Sequence, residues 1–242
     1  MLSEEAIQEN YALFKKYIYG YIKRDGVNDL LNWLDTTDIC YAPATTKYYG
    51  VYPGGFIEHC LAVCSRMFNT VKNDFENFDT FGFSKESIAI VSLLHDLDKV
   101  NKYAISSRNK KDENGNWYQE NYYTAKSTFD RLVFGNPAQN TIFIIEKFFH
   151  LTYHEKLAIM YHSGGIYTNV DDVYMAMNAH KICELAYYLY EADYYCICHG
   201  YDTGYVENDI MAQYIAPQGV SEDSESKDTT VETNTPTTQN NA

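Results

Sequence analysis

Apolar residues recur at intervals of three and four along most of this chain, the spacing that lines them up on one face of an α-helix. Ile7, Tyr11, Phe14 and Ile18 mark such a face within residues 4–24, and residues 26–34 read as a short second helix. Residues 36–55, "TTDICYAPATTKYYGVYPGG", break the period and are rich in Thr, Gly and Pro, which predicts a loop. Phe56, Cys60, Val63, Met67 and Val71 restore the period and predict a helix over 56–74. Ser84 is placed to cap the next helix, with Glu86 in its first turn. That helix is expected to run through "VSLLHDLDKV", residues 91–100. Residues 140–149, 153–162, 172–189 and 190–199 again carry the helical pattern.

One segment differs. In "KYAISSRNKKDENGNWYQENYYT" (102–124) two polar-aromatic runs flank Asn114-Gly115, a strong turn signal because both residue types tolerate positive φ. It predicts a β-hairpin inserted between helices. From residue 217 the chain is Ser, Thr, Asn and acid, with five acids and one lysine. Such a segment buries too little to offset its ordering entropy, so a disordered tail is expected over 217–242. The organisation that follows is mainly α: N-terminal helices over 1–44 packing on a core domain over 45–216, then the tail. No internal repeat is visible.

Several apolar faces carry ionisable residues where the pattern predicts burial. His59 lies in "GGFIEHCLAVC", His95 and Asp96 in "LLHDLDK", His162 in "LAIMYHSGG" and Asp193 in "YYLYEADYYC". A buried carboxylate without a partner costs several kcal/mol, so such groups persist only when something satisfies them. A divalent cation is one partner that satisfies several at once, and two imidazoles with two carboxylates suit Mn, Fe, Co, Ni or Zn better than Mg. A single buried His is more often a satisfied core residue. Four candidates on separate helices, in the order His, His-Asp, Asp, carry more weight than any one of them.

Composition narrows the reading. Hydrophobic residues make up 45% of 242 positions, enough for a sizeable core. The 24 tyrosines predict half-buried rings with hydroxyls reaching for polar partners. A formal charge of −14 repels nucleic-acid backbones, so long DNA or RNA is not an expected partner and a small ligand is. No apolar run reaches 18 residues, so no membrane span is expected. The start "MLSEEAIQENYALFKKY" reads as a charged helix, not a signal peptide. Cys60 and Cys64 fall on the apolar face of their helix and read as buried thiols. With no second pair to match Cys196 and Cys198 at zinc-ribbon spacing, reduced cysteines in a cytoplasm are expected.

The order His59, His95-Asp96, Asp193, with Gly54-Gly55 before "EH" and Lys99 after "HD", resembles the HD-domain phosphohydrolase superfamily over residues 45–200. The hairpin after the His-Asp pair and the segment "LTYHEKLAIMYHSGG" are most similar to small HD-domain proteins of phages and bacteria. The resemblance implies an HD-type helical bundle in which His59, His95, Asp96 and Asp193 hold one divalent metal. It implies that a metal-bound water attacks a phosphorus ester, with Asp96 orienting it and Lys99 offsetting charge on the phosphate. Lys102 and Arg108 are weaker candidates for phosphate contacts, and both read equally well as solvated hairpin residues. His162 would be a further ligand or substrate contact in members with two metals. There the partner His sits in a "GHGEKS"-like turn. This chain reads "GNPAQNT" (135–141), with Pro137 in the His position, so a second metal is not assumed. The usual "H.AD" around the last carboxylate reads "YEAD", with Tyr190 for His.

The function expected from all this is metal-dependent hydrolysis of a small phosphorylated substrate, a nucleotide above all. The rival is an HD-fold protein whose chemistry has decayed. It would sequester a nucleotide or bind a protein through its Tyr-rich surface, and such a surface is also compatible with an oligomer.

Overall fold

The computed structural model describes residues 2–131, 135–164 and 170–200. Within them lie ten α-helices and one two-stranded antiparallel sheet. Helix α1 (Glu4–Tyr21) starts where the Ser3 hydroxyl accepts from the Ala6 amide, with Glu4 and Glu5 in a first turn that favours negative charge. It stops at Tyr21, short of the expected residue 24, because Ile22 is extended (φ −91°, ψ 116°). The chain then reverses into α2 (Val27–Leu34) through Gly26 at φ 94°. Only glycine fits there: a Cβ on Gly26 would lie 1.9 Å from the Phe148 carbonyl oxygen.

Helix α3 (Gly55–Asp74) is the central element, buried on nearly every side over its first three turns. It packs against α1, against α5 (Lys85–Leu94) and against α10 (Glu184–His199). Short α4 (Phe78–Phe81) links α3 to α5. Phe14 and Ile18 of α1, Phe56, Val63 and Met67 of α3, Leu93 of α5 and Leu189 of α10 belong to one apolar cluster. The N-terminal helices therefore share the core of the rest. Each such side chain contributes about 1.5–3 kcal/mol by leaving water.

Strands β1 (Tyr103–Lys111) and β2 (Trp117–Ala125) pair from Tyr103–Ala125 to Lys111–Trp117. The turn differs in detail from a two-residue Asn-Gly loop. The Asp112 carbonyl accepts from Gly115 N (3.0 Å), Asp112 N donates to the Asn116 carbonyl (2.9 Å), and only Gly115 has positive φ (83°). The Asp112 carboxylate accepts from the Asn114 and Asn116 amides at 2.9 and 2.8 Å, which staples a longer loop. Four-residue α6 (Thr128–Arg131) follows, then α7 (Pro137–Ile145), α8 (Tyr153–Tyr161) and α9 (Val170–Ile182).

Three further helix boundaries correct the sequence expectation. Helix α7 starts at Pro137, not residue 140, with Asn136 as its cap; a proline at the first helical position loses no hydrogen bond. The last helical stretch breaks at Cys183 (φ −139°, ψ 99°), not between 189 and 190. Helix α5 ends at Leu94 and does not carry the His-Asp pair on its body: His95 is its last αR residue, and Asp96 turns away at φ −122°, ψ 25°. A 3-10 turn, Leu97–Lys99, follows and packs on α7. The expected tail over 217–242 lies outside the described residues. Among the described residues no helix is long and apolar enough to cross a membrane.

A candidate metal centre where α5 ends

Each candidate ligand is delivered by an element boundary or a buried helix face. His59 sits in the second turn of α3, His95 and Asp96 follow the end of α5, His162 ends α8, and Asp193 lies on the buried face of α10. With Lys99 of the 3-10 turn they form one cluster, none more than 8% exposed. His59 Nε2 lies 3.0 Å from Asp193 Oδ1. His95 Nε2 lies 3.5 Å from Asp96 Oδ2 and 3.9 Å from Asp193 Oδ1. His162 Nε2 lies 3.6 Å from Asp96 Oδ1. The break after Leu94 is what lets neighbouring His95 and Asp96 converge, since on a continuous helix they would point about 100° apart.

The ligand atoms of His59, His95 and Asp96 all lie within 4.8 Å of one another, and so do those of His95, His162 and Asp193. Donors around one ion at about 2.1 Å sit about 3–4 Å apart, and the 3.0 and 3.9 Å separations of His59 and His95 from Asp193 match that spacing, while the candidate ligands divide between two groups that share His95. The donor chemistry fits too. His95 Nδ1 lies 2.9 Å from the Ser92 carbonyl, and His162 Nδ1 lies 2.8 Å from that of Ile159. Each carbonyl fixes a tautomer and turns Nε2 inward, the usual support for a metal-ligating imidazole. His95 Nε2 is buried with no hydrogen-bond partner among the described residues, a costly arrangement that a cation would relieve.

The charges set the protonation states. Burial pushes the His95 imidazole down to about 4, outweighing the opposite pull of Asp96 and Asp193, so its Nε2 offers a lone pair. Burial would raise Asp96, but Lys99, with help from His95 and His162, holds it well below the usual carboxylate range. Burial likewise opposes ionisation of Asp193, and the contact with His59 holds it below the ordinary value. Burial would neutralise Lys99, and the Asp96 carboxylate overcomes it. Burial also lowers His162, yet its hydrogen bond and charge interaction with Asp96 lift it to about 9. Lys99 Nζ donates to Asp96 Oδ2 at 2.5 Å.

The weaker phosphate candidates are placed elsewhere. Lys102 Nζ pairs with Asp98 Oδ2 at 2.5 Å. Arg108 pairs across the hairpin with Glu120 and is more than half exposed. Five residues separate it from Tyr103, about 17 Å of strand. His150 is solvated beside Glu146, and His180 Nε2 lies 3.1 Å from the Tyr161 carbonyl. Pro137 is exposed at the start of α7 and serves that helix. Tyr190 stacks on His180 with ring centroids 4.8 Å apart. Its ring lies so close to Gly164 (φ 67°) that a Cβ there would approach it to 2.7 Å, which accounts for glycine two residues after His162.

Four residues of the surroundings escaped the sequence reading. The buried Asp98 carboxylate accepts from Arg131 at 2.8 Å as well as Lys102, and Asp98 N donates to the Thr141 hydroxyl at 3.1 Å. This network ties the 3-10 turn to α6 and α7. Tyr49 covers His59, with ring centroids 5.0 Å apart, and its hydroxyl accepts from Lys99 Nζ at 3.3 Å. The Asp98–Arg131, Asp98–Thr141 and Tyr49–Lys99 bonds span 33 to 50 residues of sequence, which no local period encodes. No protein-family model, no curated protein and no solved structure matches this chain.

Proposed function

We propose that the chain is a metal-dependent phosphohydrolase acting on a small phosphorylated molecule, with a nucleotide as the first class to test. The observation that supports this most is the gathering of His59, His95, Asp96, His162 and Asp193 in one buried cluster, as two trios that share His95, with His95 Nε2 lacking a hydrogen bond among the described residues. In this reading His59, His95, Asp96 and Asp193 hold one divalent ion of the Mn, Fe, Co, Ni or Zn kind, and His162 stands beside it as a further ligand or substrate contact. When bound, such a cation supplies Lewis-acid charge that acidifies water and offsets negative charge on phosphoryl oxygens. The chain's own groups do the rest. The neutral His95 ring donates a lone pair, Asp96 orients the attacking water by accepting from it, and Lys99 brings an ammonium to the phosphate. The likeness of the His, His-Asp, Asp order to HD-domain phosphohydrolases points the same way. The net charge of −14 favours a small substrate over long nucleic acid.

The closure of the cluster, with no ligand residue more than 8% exposed, favours a second reading: a protein that retains its nucleotide and does not turn it over. One experiment separates the two. Purified protein is loaded with Mn, Co, Ni or Zn and offered a panel of nucleoside mono- and triphosphates, with phosphate release and ligand affinity both measured. Release that Asp96→Ala abolishes supports the enzyme; tight binding without release supports the binding protein; neither outcome, with every cation, removes both.

A further inference from the structure

We infer that Tyr49 is a positioning residue for Lys99, keeping its ammonium at the site when a divalent cation claims Asp96; this rests on the metal-centre reading above. Among the described residues Lys99 Nζ has two polar contacts, Asp96 Oδ2 at 2.5 Å and the Tyr49 hydroxyl at 3.3 Å. A divalent ion on Asp96 adds two positive charges beside an ammonium already within hydrogen-bond reach of the same carboxylate. Like charges that close repel, so the ion weakens the Lys99–Asp96 pair. Lys99 is buried, and an ammonium in that setting must keep a partner. Tyr49 is the contact that remains. Its hydroxyl accepts from Lys99 at 3.3 Å.

Tyr49 is also held where that role requires. Its ring packs on His59, so its position is tied to a proposed ligand. Its loop closes on itself: Ala44 N donates to the Gly50 carbonyl at 2.8 Å, and the Thr45 hydroxyl accepts from the Tyr48 and Tyr49 amides at 3.1 Å each while donating to the Tyr49 carbonyl at 2.7 Å. The loop sits hard against the start of α3, where a Cβ on Gly55 would lie 2.3 Å from the Gly50 oxygen. The Tyr103 hydroxyl donates to the Ala44 carbonyl at 3.4 Å and ties the hairpin to the same loop. A hydroxyl fixed in this way aims the released ammonium at an incoming phosphate.

The test uses the full chain with Mn(II) and inorganic phosphate as probes, so that it reads binding and not turnover. Tyr49→Phe removes the hydroxyl and keeps the ring. It is expected to leave Mn(II) affinity within about twofold and to weaken phosphate binding to the Mn-loaded protein by about tenfold, the loss of one hydrogen bond to a charged donor. Lys99→Met is expected to tighten Mn(II) binding, since a competing cation is gone. In that background Tyr49→Phe should have no further effect on phosphate, which a merely structural tyrosine would not satisfy. Unchanged phosphate affinity in Tyr49→Phe, or the same loss with Lys99 already replaced, overturns the inference while leaving the metal centre intact. A wild-type protein that binds no Mn(II), Co(II) or Zn(II) overturns the metal-centre reading and this inference with it.

Discussion

At Asp96 three groups meet: the Lys99 ammonium, His162 Nε2 and His95 Nε2, all within 3.6 Å of its two oxygens. Removing the carboxylate leaves a buried ammonium and a raised imidazole without their anion. Asp96→Ala is therefore expected to destabilise the chelator-treated protein by about 3–5 kcal/mol in urea unfolding, apart from any effect on chemistry. A loss under about 1 kcal/mol would mean that the pair is solvated and weak. The buried cluster was legible in the sequence because each of its His and Asp residues lies inside an apolar helical stripe, where burial is predicted and a partner is demanded. His59, His95, Asp96, His162 and Asp193 all stand out by that test. Tyr49, Asp98 and Arg131 do not, because a loop tyrosine among 24 tyrosines and charged residues near a hairpin look solvated until the fold brings them in. Lys102 and Arg108 read alike for the same reason, yet one reaches a buried carboxylate and the other a half-buried glutamate on the neighbouring strand.

At the scale of elements, two carboxylates hold helices together. Glu155, fully buried at the third position of α8, accepts two bonds from Arg24 (2.8 and 2.6 Å), one from Ser87 (2.8 Å) and one from Thr152 N (2.8 Å). It joins α8 to the α1–α2 connection and the start of α5. Glu155→Ala strips Arg24 of its buried partner, and a loss of about 3–5 kcal/mol is expected in chemical denaturation. Glu146, which ends α7, accepts from Leu151 N at 2.7 Å and faces His150 and Lys156 at 3.1 and 3.0 Å. Partial burial would raise its pKa, but these donors hold it at about 2, against an ordinary value of 4.5. A depressed carboxylate adds stability that is complete above the unfolded value and is lost as pH falls toward the folded one. Wild type should therefore lose this contribution between about pH 4.5 and pH 2, and Glu146→Gln should flatten the curve there while costing about 1 kcal/mol at pH 7. Identical acid limbs would remove Glu146 from the ledger. The helix starts were legible where a cap spelled them, as with Ser84. The break at Cys183 was not, because no glycine or proline marks it. The end of α5 at Leu94 was hidden by Leu97 and Val100, which continue the apolar period after the backbone has left the helix.

Across the whole molecule, helices from both halves share one apolar cluster, and the candidate centre joins α3, α5, α8 and α10. A cation bound there crosslinks four helices of the same core. Binding to the folded state alone stabilises it by about 2.7 kcal/mol at 100 times the dissociation constant. Added Mn(II) or Zn(II) should raise the unfolding temperature, chelator should reverse it, and His95→Ala should shrink the difference by about half or more. The mainly α architecture with an inserted hairpin was legible because hydrophobic period and turn chemistry are local. Which helices touch was not, and it is that contact map which gathers His59, His95, Asp96, His162 and Asp193 into one cluster.

The most direct measurement is a calorimetric titration of metal-stripped protein with Mn(II) and Zn(II). About one equivalent per chain is predicted, with affinity at least tenfold weaker in His95→Ala and in Asp193→Ala. No saturable binding, or variants that bind as wild type does, would contradict the metal centre.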